Sequence, residues 1–162
     1  KFLGYFLFLQ YYCKNKDSQM GIDTKSLAIT RCITNKNWLT PARLLLLDTL
    51  QKQKKPISAY SIRKLLKEDN LSLNIATIYR VLDFWCHLGV VHKLSATNKF
   101  IRCSSPDEKH THIINSCQRC ETVFESCNEQ MGLNLEKGPE SLGLTFVSNS
   151  HLEIPVICEA CS

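Results

Sequence analysis

From residue 38 onward the chain alternates apolar stripes at helical spacing with short polar breaks. Thr40 followed by Pro41 has the form of an N-cap and a first helical residue. Leu44, Leu47 and Leu50 then recur on one face, with Leu45 and Leu46 widening the stripe, until Lys54-Lys55-Pro56 stops it. Ser58 caps a second helix over 59–67, with Ile62, Leu65 and Leu66 on one face. Asp69-Asn70 is a break. Asn74 caps a third helix over 75–88 whose apolar face uses Ile75, Ile78, Leu82, Trp85 and Cys86, and Gly89 suits its C-terminal end. Two extended runs follow, 90–94 and 100–103, around the turn-forming Ala96-Thr97-Asn98, which is a hairpin pattern. Residues 20–37 are polar and mixed and read as a first helix or an arm.

Three helices and then a hairpin is the order of a winged helix, in which the third helix is placed for the DNA major groove. Ser104-Ser105-Pro106-Asp107-Glu108 has the composition of a linker. Beyond it, 112–116 and 122–125 read as short strands, 129–142 as a helix broken by Gly138-Pro139, and 144–148 and 152–157 as further strands. The expected class is α+β: a winged helix over 20–103, then a small α+β unit over 104–162. Residues 1–19 carry no assignment. The apolar run 2–12 is too short to span a bilayer as a helix, and no membrane partner is expected. The first methionine is Met20, so residues 1–19 read either as a tail or as sequence upstream of the natural start.

Composition sharpens this picture. The 162 residues are 44% apolar and 22% charged, ordinary for a globular chain and sufficient for a core. The formal charge of +5 is compatible with nucleic acid, and Arg43, Lys52, Lys54, Lys55, Arg63, Lys64 and Lys67 concentrate it in the first half. Nine cysteines cannot all pair, and the N-terminus lacks the pattern of a secretory signal; metal or redox chemistry in a reducing cytoplasm is the better expectation.

Cys117-Gln118-Arg119-Cys120 and Cys158-Glu159-Ala160-Cys161 form two matched Cys-x-x-Cys knuckles. Together they supply a closed tetrahedral thiolate site, which favours a structural zinc. The 37 residues from 121 to 157 exceed the usual ribbon spacing. Two disulfides, or unrelated core cysteines, are the alternatives. His92, Cys103, His110 and Glu125 are a second, dispersed set: two imidazoles, a thiolate and a carboxylate, chemically suited to zinc although no local spacing unites them. Singly, His92 reads as a surface histidine, Cys103 as a small buried apolar residue and Glu125 as a solvated charge. His112, His151 and Glu153 remain, either as a third metal site or as loop and strand surface. On the third helix, Thr77 and Arg80 are three apart and share a face, and Arg80 can fork onto guanine or clamp a phosphate. Tyr60 stands at the start of the preceding helix. Tyr79 reads as DNA-facing or as core, Arg80 as DNA-facing or as solvated.

The stretch 72–93, with Ala76-Thr77-Ile78-Tyr79-Arg80-Val81-Leu82 and Leu88-Gly89-Val90-Val91-His92-Lys93, resembles the ferric uptake regulator family. The downstream order of Cys103, a His-containing loop, the first knuckle, Glu125 and the second knuckle matches as well, so the likeness covers roughly 39–161. Cys103 on the second hairpin strand and the run Ile57-Ser58-Ala59-Tyr60 are similar to the family's zinc-uptake branch. The resemblance implies a homodimeric winged-helix repressor that binds a double-stranded DNA operator, with 104–162 as a zinc-binding dimerisation domain. It implies two zinc ions per chain, His92, Cys103, His110 and Glu125 as the sensing site, and DNA contacts by Tyr60, Thr77, Tyr79 and Arg80. Glu121 departs from the glycine usual after the first knuckle, and Val156-Ile157 precede Cys158 where Gly-x is common. An iron or peroxide sensor of the same family is one rival, disfavoured by thiolate ligation. A zinc enzyme is another; it needs an open coordination position and its own motifs, such as His-Glu-x-x-His, which are missing here. A constitutive zinc-ribbon DNA binder is the third.

Overall fold

The computed structural model describes residues 24–104, 111–127, 139, 141–145 and 150–162. The tail 1–19, His110, most of the linker and most of the expected 129–142 helix and 144–148 strand lie outside them.

The helix-or-arm segment is a helix, α1 (Thr24–Thr34). α2 (Pro41–Gln51) opens where Thr40 accepts the Arg43 N–H at 3.4 Å. Its buried residues are Leu46, Leu47 and Leu50, while Leu44 and Leu45 are half-buried. In four consecutive leucines, spacing leaves the phase of the stripe open, and packing against α1 and against the helix over 75–87 decides it. A two-residue strand, β1 (Ile57–Ser58), was not foreseen; Ile57 pairs with Phe100. α3 (Ala59–Glu68) starts with Ser58 Oγ accepting the Ser61 N–H at 3.1 Å and buries Ala59, Ile62 and Leu66.

α4 (Ile75–His87) begins where Asn74 Oδ1 accepts the Thr77 N–H at 2.7 Å. It buries Ile78, Val81, Leu82 and Trp85, so Val81 takes a place expected for Ile75 and Cys86, which are half-buried. Gly89 follows in the left-handed region at φ +66°. Its N–H reaches the Cys86 carbonyl at 2.9 Å and the Val90 N–H reaches the Trp85 carbonyl at 3.0 Å. That double closure is a Schellman ending, which glycine permits without a Cβ penalty. Arg31 of α1 donates to the Leu88 carbonyl at 2.7 Å and so steadies the same helix end.

β2 (Val91–Leu94) and β3 (Lys99–Arg102) form the expected hairpin, turning through 95–98 with Asn98 at φ +50°. With β1 they make an antiparallel sheet in the order β1-β3-β2. Trp85 and Phe100 are fully buried in the core that this sheet shares with the helices, and Trp85 Nε1 donates to the Arg43 carbonyl at 3.1 Å.

β4 (His112–Cys117), β5 (Val123–Cys127) and β6 (His151–Val156) form a second sheet in the order β5-β4-β6. β4 runs antiparallel to β5 and parallel to β6. Side chains alternate across a strand. The pairings His112–His151, Ile114–Glu125 and Ile114–Glu153 therefore put those residues on one face, and Ile113–Leu152 and Asn115–Phe124 put theirs on the other. A short 3-10 helix, Glu159–Cys161, follows β6. The architecture is α+β: a winged helix and a small second unit.

Candidate metal centres and nucleic-acid face

The parallel pairing of β4 and β6 explains how knuckles 37 residues apart meet. Cys117 ends β4 opposite Val156, the last residue of β6, so both Cys-x-x-Cys turns leave adjacent strands at the same end of the sheet. The Gln118 N–H also reaches the Val156 carbonyl at 2.9 Å. The Sγ atoms of Cys117, Cys120, Cys158 and Cys161 lie within 4.8 Å of one another, and Cys120 and Cys158 are 3.7 Å apart. A tetrahedron with Zn–S bonds of about 2.3 Å has edges of roughly 3.8 Å, so the four fit one zinc ion. All seven cysteines whose side chains are described are free thiols, against the disulfide alternative. Backbone N–H groups of Cys158, Cys120 and Arg119 point at the Cys117 sulfur and bring its pKa down to about 6. That thiol is ready as a thiolate ligand, whereas hydrogen bonding with Cys158 and Cys120 pushes Cys161 up to about 12. Thr122 hydrogen-bonds Cys120 Sγ at 3.2 Å.

The second centre draws on both sheets. His92 lies on β2, and Cys103 follows β3, its N–H bonded to the Val90 carbonyl at 2.8 Å, so the two are neighbours across the hairpin. Glu125 of β5 and His112 at the start of β4 come from the facing sheet. One ligand atom from each of these four residues lies within 4.8 Å of the others. Glu125 Oε1 is 3.2 Å from His92 Nε2, 2.6 Å from His112 Nδ1 and 3.3 Å from Cys103 Sγ. His92, Cys103 and His112 are buried. Burial pushes the Glu125 carboxyl up, but hydrogen bonds from His112, His92 and Ser104 outweigh it and hold the pKa well below the usual carboxylate range. The carboxylate is thus held charged among two imidazoles and a thiol, a donor set that fits a tetrahedral zinc ion. Three of the four residues expected from the sequence are brought together. The fourth place near them is taken by His112, which had been grouped with a third site, while His110 lies outside the described residues.

That change leaves the other third-site candidates with different partners. His151 stacks edge-on against His92, with ring centroids 5.1 Å apart, and lies 3.5 Å from Glu153. Glu153 Oε1 accepts the Ser95 N–H of the wing turn at 2.6 Å. Among the described residues, donor atoms converge in two places only. The wing also meets the turn after the first knuckle through the ion pair of Lys99 with Glu121, at 2.5 Å.

The DNA-facing residues divide. Tyr60 is 65% exposed at the start of α3, and Arg80 is exposed on α4 one turn beyond the half-buried Thr77. Tyr79 instead packs half-buried against the core. Its ring meets Phe100 edge-on at 6.2 Å, and its hydroxyl accepts a hydrogen bond from Asn98 at 3.3 Å. Of the two readings for Tyr79, its side chain follows core packing, joining α4 to the wing. Among the described residues no helix is long and apolar enough to cross a membrane.

The model of the ferric uptake regulator family matches residues 35–154. The zinc uptake regulation protein of Escherichia coli (strain K12) is 35% identical over 124 residues, covering 76% of this chain and 72% of that protein. A solved zinc uptake regulator complexed with zinc and DNA superimposes with a TM-score of 0.70 at 32% identity, over 85% of this chain and 94% of the other. The crystal structure of holo XcZur gives a TM-score of 0.68 at 28% identity, over 85% and 97%.

Proposed function

The chain belongs to the ferric uptake regulator family, a family of metal-responsive transcription regulators and not of enzymes, and from that premise we propose that it is a zinc-responsive repressor of zinc-uptake genes. In this reading it is a cytoplasmic homodimer with two zinc ions per chain, residues 20–103 bind a DNA operator, and residues 104–162 hold zinc and dimerise. The similarity to zinc uptake regulators supports zinc over iron. So does the donor set, since sites for iron and manganese favour nitrogen and oxygen over thiolate.

The observation that carries the proposal is the convergence of His92 and Cys103, from the wing, with His112 and Glu125, from the second sheet. Cys117, Cys120, Cys158 and Cys161 would hold a structural zinc. The second ion would supply four directed bonds to ligands on two separate sheets. His92 and Cys103 cannot satisfy that geometry without fixing the wing, and with it α4, against the second sheet. In a homodimer the two copies of α4 must then meet half-sites about 34–36 Å apart. Thr77 and Arg80 on α4, with Tyr60 of α3, are the residues proposed to face the operator. Dimerisation is supported by the far face of the second sheet, where Phe124 and Leu152 are 49% and 41% exposed. Exposed apolar side chains on one sheet face fit an interaction surface.

The test is a metal count on the purified full chain, with anomalous scattering at the zinc edge. Two zinc ions per wild-type chain and one in Cys103→Ser are expected. A single zinc in the wild type, or iron in the second site, would overturn the reading.

A further inference from the structure

The second centre contains an asymmetry that its list of donors does not convey. A carboxylate has two oxygens, and Glu125 turns only one of them toward the other ligand atoms. Oε1 faces His92, His112 and Cys103. Oε2 is taken up elsewhere: it accepts the Ser104 backbone N–H at 2.8 Å and the Ser104 hydroxyl at 2.6 Å. Ser104 follows Cys103 directly, so the chain leaving β3 delivers a thiol to the centre with one residue and grips the carboxylate with the next.

We infer that Ser104 is a positioning residue that makes Glu125 a one-oxygen ligand and so sets the centre's preference for a four-coordinate metal. The inference rests on the reading of the second centre given above. With Oε2 held, the donors number four: two nitrogens, one sulfur and one oxygen, the complement of tetrahedral zinc. With Oε2 released, the carboxylate can swing to offer both oxygens. Five or more contacts then favour metals that take octahedral, oxygen-rich surroundings, such as manganese(II). Groups that orient a ligand in this way change metal affinity by roughly 10- to 100-fold when removed. The Ser104 backbone N–H survives any ordinary substitution, so loss of the hydroxyl alone belongs at the lower end of that range. Ser104 is exposed, and its replacement leaves the core intact.

The experiment uses the full chain with its four-cysteine site filled by zinc, then titrated with cobalt(II) and, separately, with zinc against manganese(II). Wild type is expected to give the intense ligand-field bands of tetrahedral cobalt. In Ser104→Ala those bands weaken and the preference for zinc over manganese falls about 10-fold; Ser104→Thr, which keeps the hydroxyl, restores both. A wild type that takes up no second metal would overturn the underlying reading of the centre. A wild type with tetrahedral cobalt, matched by Ser104→Ala in bands and preference, would overturn the role of Ser104 alone.

Discussion

Glu121 stands at φ +58°, in the left-handed region that glycine occupies freely, immediately after the first knuckle. Its N–H closes the turn on the Cys117 carbonyl at 3.0 Å, and its carboxylate meets Lys99 of the wing. The strain is inherent in the backbone, while an exposed ion pair offsets it only weakly. Glu121→Gly is therefore expected to be more stable than Glu121→Ala by about 1 kcal/mol in urea unfolding, since both lose the pair and only glycine loses the strain. Equal stabilities would contradict this. The convergence of Cys117, Cys120, Cys158 and Cys161 was legible because each knuckle is a local pattern whose paired thiols suit one metal. The choice between His110 and His112 was not. Residues two apart have the same parity along a strand, so alternation cannot separate them, and the decision lies in where β4 faces Glu125. His112→Ala is expected to weaken zinc binding at the second centre by more than the roughly 10- to 100-fold typical of an orienting group, and His110→Ala by less, in chelator competition. The reverse order would return His110 to the site.

At the scale of elements, caps were the most readable feature. Thr40, Ser58 and Asn74 each accept the N–H three residues on, as their side chains dictate. Asn74→Ala should lower stability by about 1 kcal/mol and Asn74→Ser should leave it nearly unchanged, measured by urea unfolding; an unchanged Asn74→Ala would mean that the bond at the start of α4 contributes nothing. Apolar phase was less readable. Leu44 belongs to a run of leucines any of which can point inward, and packing selected Leu46 and Leu47. β1 escaped notice because two residues cannot display a period. The parallel neighbourhood of β4 and β6 also escaped, because strand order across 33 intervening residues, 118–150, is a property of the sheet and not of either strand.

At the scale of the whole molecule, the sequence carried the order of parts, helices then wing then knuckles, and the family likeness rested on that order together with the residues of the stretch 72–93. What it left open was how the wing sits on the second sheet. Among the described residues, the contacts that hold it there include the four-residue centre at Glu125, the edge-on rings of His151 and His92, the Glu153 carboxylate on the wing turn, and Lys99 with Glu121. Only the first changes with metal, so that centre is the proposed switch, with a coupling of about 1–3 kcal/mol between zinc and DNA. The most direct measurement is operator affinity as free zinc is raised, for wild type beside Cys103→Ser with the four knuckle cysteines intact. Wild type is expected to tighten roughly 5- to 150-fold and Cys103→Ser to stay flat. Parallel responses in the two proteins would contradict the proposed switch.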